Sequence, residues 1–116
     1  MLAPSPTVQV LQAARNLIAD ESRWGRRWLS TTADGTCAYG VMSEDAVAWC
    51  AHGAIMHEGG EGYFPAARLL DRVASELFPD TIAAHPEVIP AAAVNDHLGH
   101  AAVMQMFDRA IELAVA

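Results

Sequence analysis

Two places in this 116-residue chain carry residue types that can do chemistry. The first is Cys50, whose thiolate would serve acyl or amide chemistry if a helix N-terminus, a cation or a histidine lowered its pKa. The second is the run Asn95, Asp96 and His97 followed by His100, in which two imidazoles three positions apart share a helix face. A carboxylate beside them can orient one as a general base or a metal ligand. The candidate catalytic set is therefore Cys50 with His97 or His100 as base and Asp96 or Asn95 orienting it. The plainer reading makes Cys50 a small packing hydrophobe beside Gly53 and Ala54, and Asn95 or Asp96 a helix cap.

The elements that must position these groups follow from local signals. Ser43 is a good N-cap, and Glu44 and Asp45 favour the positive end of a helix dipole, which predicts a central, buried helix through Cys50 and Ala54 toward His57. Cys50 would then sit near the second turn, with His52 on another face and His57 about 10 Å along the axis, so only His97 or His100 could reach it. Gly53 costs about 1 kcal/mol of helix propensity, and its position predicts close approach of another backbone.

Before that helix, Ser5 and Pro6 open a first helix to about Asp20, carrying Val10, Leu11, Ala14, Leu17 and Ile18 at helical spacing. Trp24 and Trp28 flank a change of direction at Gly25. Asp34 and Gly35 join Arg27–Ala33 to Thr36–Val41 as a predicted hairpin, with Cys37 and Tyr39 on one side and Ala38 on the other. After it, the glycine-rich residues 57–62 read as a mobile connector, and Pro65 opens a third helix with a stripe of Ala66, Leu69, Leu70, Val73 and Leu77, closed by Pro79. Pro86 and Pro90 predict an irregular stretch over 79–94. A last helix is expected from about Asp96 to Val115, with Val103, Phe107, Ala110, Ile111 and Ala114 inward. The fold class is mainly α: a compact four-helix domain with one small β-hairpin, and a single domain over 1–116.

Composition narrows the function. All seven basic residues are arginine, against fourteen acids, for a net charge of -7. A general nucleic-acid binder needs a basic face, so that class is disfavoured. Arg23, Arg26 and Arg27 form one basic cluster able to hold a phosphate or carboxylate, although a solvated, salt-bridged face is the simpler expectation. No apolar run reaches the length of a membrane span, and the first ten residues lack the pattern of a signal peptide, making cytoplasmic location the default expectation. Two cysteines outside any CxxC pattern read as free thiols, and neither a metal nor a cofactor is expected.

Trp24 with Asp34 and Gly35, Trp49, Cys50, Gly53 and Ala54 (WCxxGA), and Asn95, Asp96, Phe107, Asp108, Ala110 and Ile111 (ND and FDRAI) together resemble a family of short actinobacterial and phage proteins known only as a domain of unknown function. The resemblance spans nearly the whole chain and implies a self-contained domain. It brings no activity, cofactor or catalytic residue. If both segments are family signatures, one physical explanation is that the start of the last helix packs against the central helix near Cys50.

The functional expectation is a small binding or regulatory protein that acts through protein contacts. Trp28, Arg27, Trp49 and Asn95 are its candidate binding residues, homo-oligomerisation is compatible with it, and inhibition of a host or defence protein is one version. The alternative is the Cys50 enzyme. A third, weaker idea is a metal site from His97, His100 and a distant carboxylate.

Overall fold

The computed structural model describes residues 4–116, and among these the chain forms six helices and one two-stranded antiparallel hairpin. Ser5 caps α1 (Pro6–Leu17), its hydroxyl accepting from the Val8 N–H. Val8, Val10, Leu11 and Ala14 of this helix are buried, as is Ile18 just beyond it. A single 3-10 turn (Glu21–Arg23) leads to β1 (Ser30–Thr31), which pairs with β2 (Ala48–Trp49). Then follow α2 (Ala51–Glu58), α3 (Tyr63–Leu77), α4 (Pro79–Ala84), α5 (Pro90–His97) and α6 (His100–Val115). Helices α1, α3 and α6 pack on one another, and α2 and α5 close the core against α1 and α3.

The mainly α class with one small hairpin is as the sequence predicts, but several elements differ in extent. The hairpin turn does form at Asp34–Gly35: Gly35 has φ +86, and the Asp34 carboxylate accepts from the Thr32 and Thr36 hydroxyls. These bonds, the Thr32 hydroxyl first, hold the Asp34 carboxyl below its ordinary pKa. The arm after the turn makes only two backbone bonds to β1, Thr36 O accepting from Thr32 N and Ala38 N donating to Ser30 O. On its other edge β1 receives Val47 N at Thr31 O and Cys50 N at Leu29 O, and this edge carries the ladder. Ala38 is buried while Cys37 and Tyr39 face solvent, the alternation expected of that arm.

The central helix is shorter than Ser43 and its acids suggest. Ser43 makes only a turn, Ala48 and Trp49 are drawn into the sheet, and Cys50 is the N-cap of α2. The pairing of β2 with β1 outweighs the local cap signal, because helix propensity is a weak prior where tertiary bonds compete. The prolines of 79–94 likewise start helices: Pro79 and Pro90 stand in the first turn of α4 and α5, where a missing N–H costs nothing. The last helix is interrupted at Leu98 and Gly99, the latter at φ +145, so Asn95 and Asp96 end α5 and do not cap α6. The inward stripes hold with one exception, Leu77, which is exposed.

Gly53 meets the backbone it was expected to meet. A Cβ there would lie 1.8 Å from the Leu29 carbonyl oxygen. A second glycine, Gly62, has the same role beneath α1, where a Cβ would fall 2.2 Å from Pro6 O. Gly53→Ala should destabilise the fold by about 3 kcal/mol in urea unfolding, since backbone must move to admit the methyl. Gly40→Ala, with nothing within 4 Å of its added Cβ, should change stability by less than about 0.5 kcal/mol.

Candidate functional site

Of the residues singled out from sequence, Asn95 and Asp96 meet the start of α2 and the 24–27 bend at one junction, with Asn95 at its centre. Asn95 is 1% exposed, and its carboxamide is fully used. The Oδ1 accepts from Trp24 Nε1 at 2.7 Å and from Ala51 N at 3.0 Å, and the Nδ2 donates to Gly25 O at 3.0 Å and Asp96 Oδ1 at 3.2 Å. Two acceptor and two donor positions are thus all satisfied. Ala51 N is one of the free N–H groups at the start of α2, so Asn95 caps a helix 44 residues away. The expected proximity of the Asn-Asp pair to the Cys50 region is real, and it is made by the end of α5.

Asp96 completes the junction by accepting from the Arg27 backbone N–H at 2.7 Å. Arg27 has φ +74, a left-handed conformation that costs a side-chain-bearing residue about 1 kcal/mol. Asp96 therefore orients the 25–28 bend and takes no histidine. His97 stacks on His85 at 3.6 Å between ring centroids, and His100 Nε2 lies 2.7 Å from Ile18 O with its ring against Trp24. The break at Gly99 is what separates the two imidazoles.

Cys50 is half-buried. Its Sγ accepts from Gly53 N–H at 3.3 Å, the contact of an N-cap, and neither His97 nor His100 is a hydrogen-bond partner. The helix start places it closer to dipole help than the sequence suggests. Burial nonetheless pushes the thiol above its ordinary pKa, the N–H groups of α2 oppose that rise, and the nearby Asp96 charge adds to it. Among the described residues no three His, Cys, Asp or Glu side chains gather as a metal cluster.

Around the junction lies an arginine and tryptophan face. The Arg26 guanidinium stands 5.0 Å from the Trp24 ring and that of Arg23 stands 5.6 Å from the Trp49 ring, both cation–π contacts. Trp49 is otherwise interior: its Nε1 donates to Val41 O at 2.8 Å and its ring meets His57 edge-on. Trp28 is 39% exposed and borders an open cavity of about 330 Å³ with Gly25, Arg26, Arg27, Thr31 and Gly35. Sequence reasoning missed a second junction, in which Asp71 of α3 accepts from Ala91 N at the start of α5 at 2.9 Å and lies 3.1 Å from His52 Nε2. Only the place of Asp71 between Leu70 and Val73 of the α3 stripe hinted at it.

The fold and this junction define a small helical domain whose short β-ladder and bend are fastened to α5 by an asparagine. The chain belongs to the family of unknown function DUF6197, whose profile matches residues 3–113. No curated protein and no solved structure matches it.

Three outcomes test the site's chemistry. Asn95→Ala should cost about 3 kcal/mol, read by denaturant unfolding, because it leaves Trp24 Nε1 and Ala51 N without their buried acceptor. Iodoacetamide should label Cys50 more slowly in the native protein than in urea, in a Cys37→Ser background. Because the folded thiol has the higher pKa, its contribution to stability is complete below its ordinary value of 9.0 and fades as pH rises through the folded value. Melting temperature should thus fall above about pH 9, and less so in Cys50→Ala.

Proposed function

We propose that the protein is a binding or regulatory module that acts by contact with another protein, through the segment between Trp28 and Val47. The observation that supports this reading is the concentration of exposed apolar side chains there: Trp28, Leu29, Tyr39, Met42 and Val47, with Tyr39 wholly in solvent at 105% relative exposure. A free chain would tend to fold such groups inward, and the backbone that carries them is fixed instead by β1, its two flanking segments and the Gly53–Leu29 contact. Aromatic and methionine side chains on a rigid frame are what contact surfaces are enriched in, because little entropy is lost on docking. Trp28 and Arg27 are the binding residues at the cavity end of this segment, while Asn95 and Trp49 act beneath it by holding its shape. Inhibition of a host or defence protein, in a bacterial or phage setting, is the narrowest form of the reading.

The test is affinity capture with cross-linking, comparing the wild type with a Tyr39→Ser, Met42→Ser double variant. The expected outcome is a partner, or a second copy of the chain, cross-linked to residues 28–47 and retained at least about tenfold less by the variant, since centrally placed aromatic anchors carry about 1.4 kcal/mol or more. The variant should melt with the wild type, as both side chains are exposed. A protein that stays monomeric and captures nothing, or a partner held equally by the variant, would sink the proposal.

A further inference from the structure

We propose that the face from Arg23 to Val47 is the surface through which two copies of this chain associate, in a two-fold arrangement that sets the arginine end of one against the acidic end of the other. This deepens the protein-contact reading and rests on it. Charge singles out the face. Residues 23–47 carry three arginines, Arg23, Arg26 and Arg27, and three acids, Asp34, Glu44 and Asp45, for a net charge of zero. The other residues carry four arginines and eleven acids, so the whole net charge of -7 lies outside this segment. Two copies meeting through the acidic remainder would bring like charge against like, whereas this face meets itself without that cost. Five of the exposed large apolar side chains, Trp28, Leu29, Tyr39, Met42 and Val47, stand on the same neutral segment.

The six charged residues are exposed and sorted by sign. The arginines precede Trp28 and Leu29, and Glu44 and Asp45 stand between Met42 and Val47. Arg26 and Arg27 border one surface depression and Asp34 and Asp45 another, and the two adjoin at the Asp34–Gly35 turn, Gly35 lining the first and Asp34 the second. A two-fold axis near that turn exchanges the basic end for the acidic one. The salt-bridged cluster expected of Arg23, Arg26 and Arg27 does not form within one chain. Arg15, Arg72 and Arg109 each pair with a carboxylate, at 2.6, 3.3 and 2.9 Å respectively, yet among the described residues none of the six charged groups of this face takes part in an ion pair. Arg23 and Arg26 rest on the Trp49 and Trp24 rings, contacts that hold a guanidinium without neutralising it. Three cations and three anions thus stay unpaired on a single copy. In a two-fold interface every contact is made twice, so an arginine end that meets an acidic end is repeated on the other side of the axis, with the apolar groups between. A stable interface takes about 800 Å² from each partner, roughly one-eighth of the chain's 6547 Å², and a segment of this length with most of its residues exposed is of the size such an interface draws on.

The test is sedimentation equilibrium of the full chain and of two charge-reversed variants, one carrying Arg26→Glu and Arg27→Glu, the other Glu44→Arg and Asp45→Arg, each alone and then mixed. The expected result is a wild-type dimer whose dissociation constant rises at least about tenfold in either variant alone, where like charges now face each other. The equimolar mixture should return to within about threefold of the wild type, because every arginine end again meets an acidic end. All four side chains are exposed, so the far-UV circular dichroism of each variant should match that of the wild type. If either reversal disturbs the fold, the Tyr39→Ser, Met42→Ser variant decides instead, and it too should raise the dissociation constant at least about tenfold. A wild type that stays monomeric at about 1 mM, variants that dimerise as the wild type does, or a mixture no tighter than its parts would overturn the dimer. A monomer that captures a different protein through residues 28–47 would overturn self-association and leave the protein-contact reading standing, whereas a monomer that captures nothing would end both.

Discussion

The Asn95 carboxamide is the constraint on which the rest of the structure depends. It ties three parts of the chain that share no helix: the Trp24–Gly25 bend, the start of α2 and the end of α5. Placing an amide in the interior is favourable only when all its donors and acceptors are met, and here they are. A satisfied network of this kind specifies geometry as much as it stabilises, because any displaced neighbour leaves a buried group unpaired. Apart from Ile55 and Asn95, the buried residues of α2 and α5 are alanine, glycine and valine, which pack closely yet specify rotation and register poorly. The amide supplies the missing specificity.

From that point the exposed face follows. With Gly25 O and Arg27 N both fastened to the end of α5, the bend between them has no freedom to collapse onto the sheet. Trp24 and Trp49 turn inward, each with its indole N–H bonded and an arginine over its ring, while Trp28 is left outside. One strand edge of β1 is occupied by the arm after Asp34–Gly35 and the other by β2, so the segment that displays Tyr39 and Met42 has no free ladder edge along Ser30 and Thr31.

Much of the fold could be read from residues whose local preference and tertiary role agree. Ser5–Pro6, Asp34–Gly35 and the α3 stripe are of this kind, and Gly53 announced a close backbone contact because nothing in a helix otherwise favours it. What escaped was decided by partners distant in sequence. Ser43 with two acids is a sound helix start, yet Ala48 and Trp49 gain ladder bonds and burial by leaving the helix to Ala51. Gly62 looked like linker because the carbonyl it admits, Pro6 O, lies in another helix. At the site, the association of Asn95 and Asp96 with the Cys50 region was foreseeable, whereas the roles were not. A polar pair ending one helix instead of starting the next binds backbone, and Gly99 then turns His97 and His100 to different neighbours.

The remote capping of the two eight-residue helices also bears on how the chain can be divided. Helices α2 and α5 are each shorter than a peptide needs to be helical alone, and the first free N–H groups of each are met by a side chain from another element, Asn95 for α2 and Asp71 for α5. The residue that accepts in one cap, Asn95, itself belongs to the helix that Asp71 caps. Loss of α3 would thus undermine α5, and with it α2 and the bend that carries Trp28, although α3 touches neither Asn95 nor the bend through any of these bonds. The domain is modular in appearance and indivisible in fact: every cut between residues 51 and 95 parts Ala51 from the Asn95 that caps α2, and every cut between 71 and 91 also parts Asp71 from Ala91.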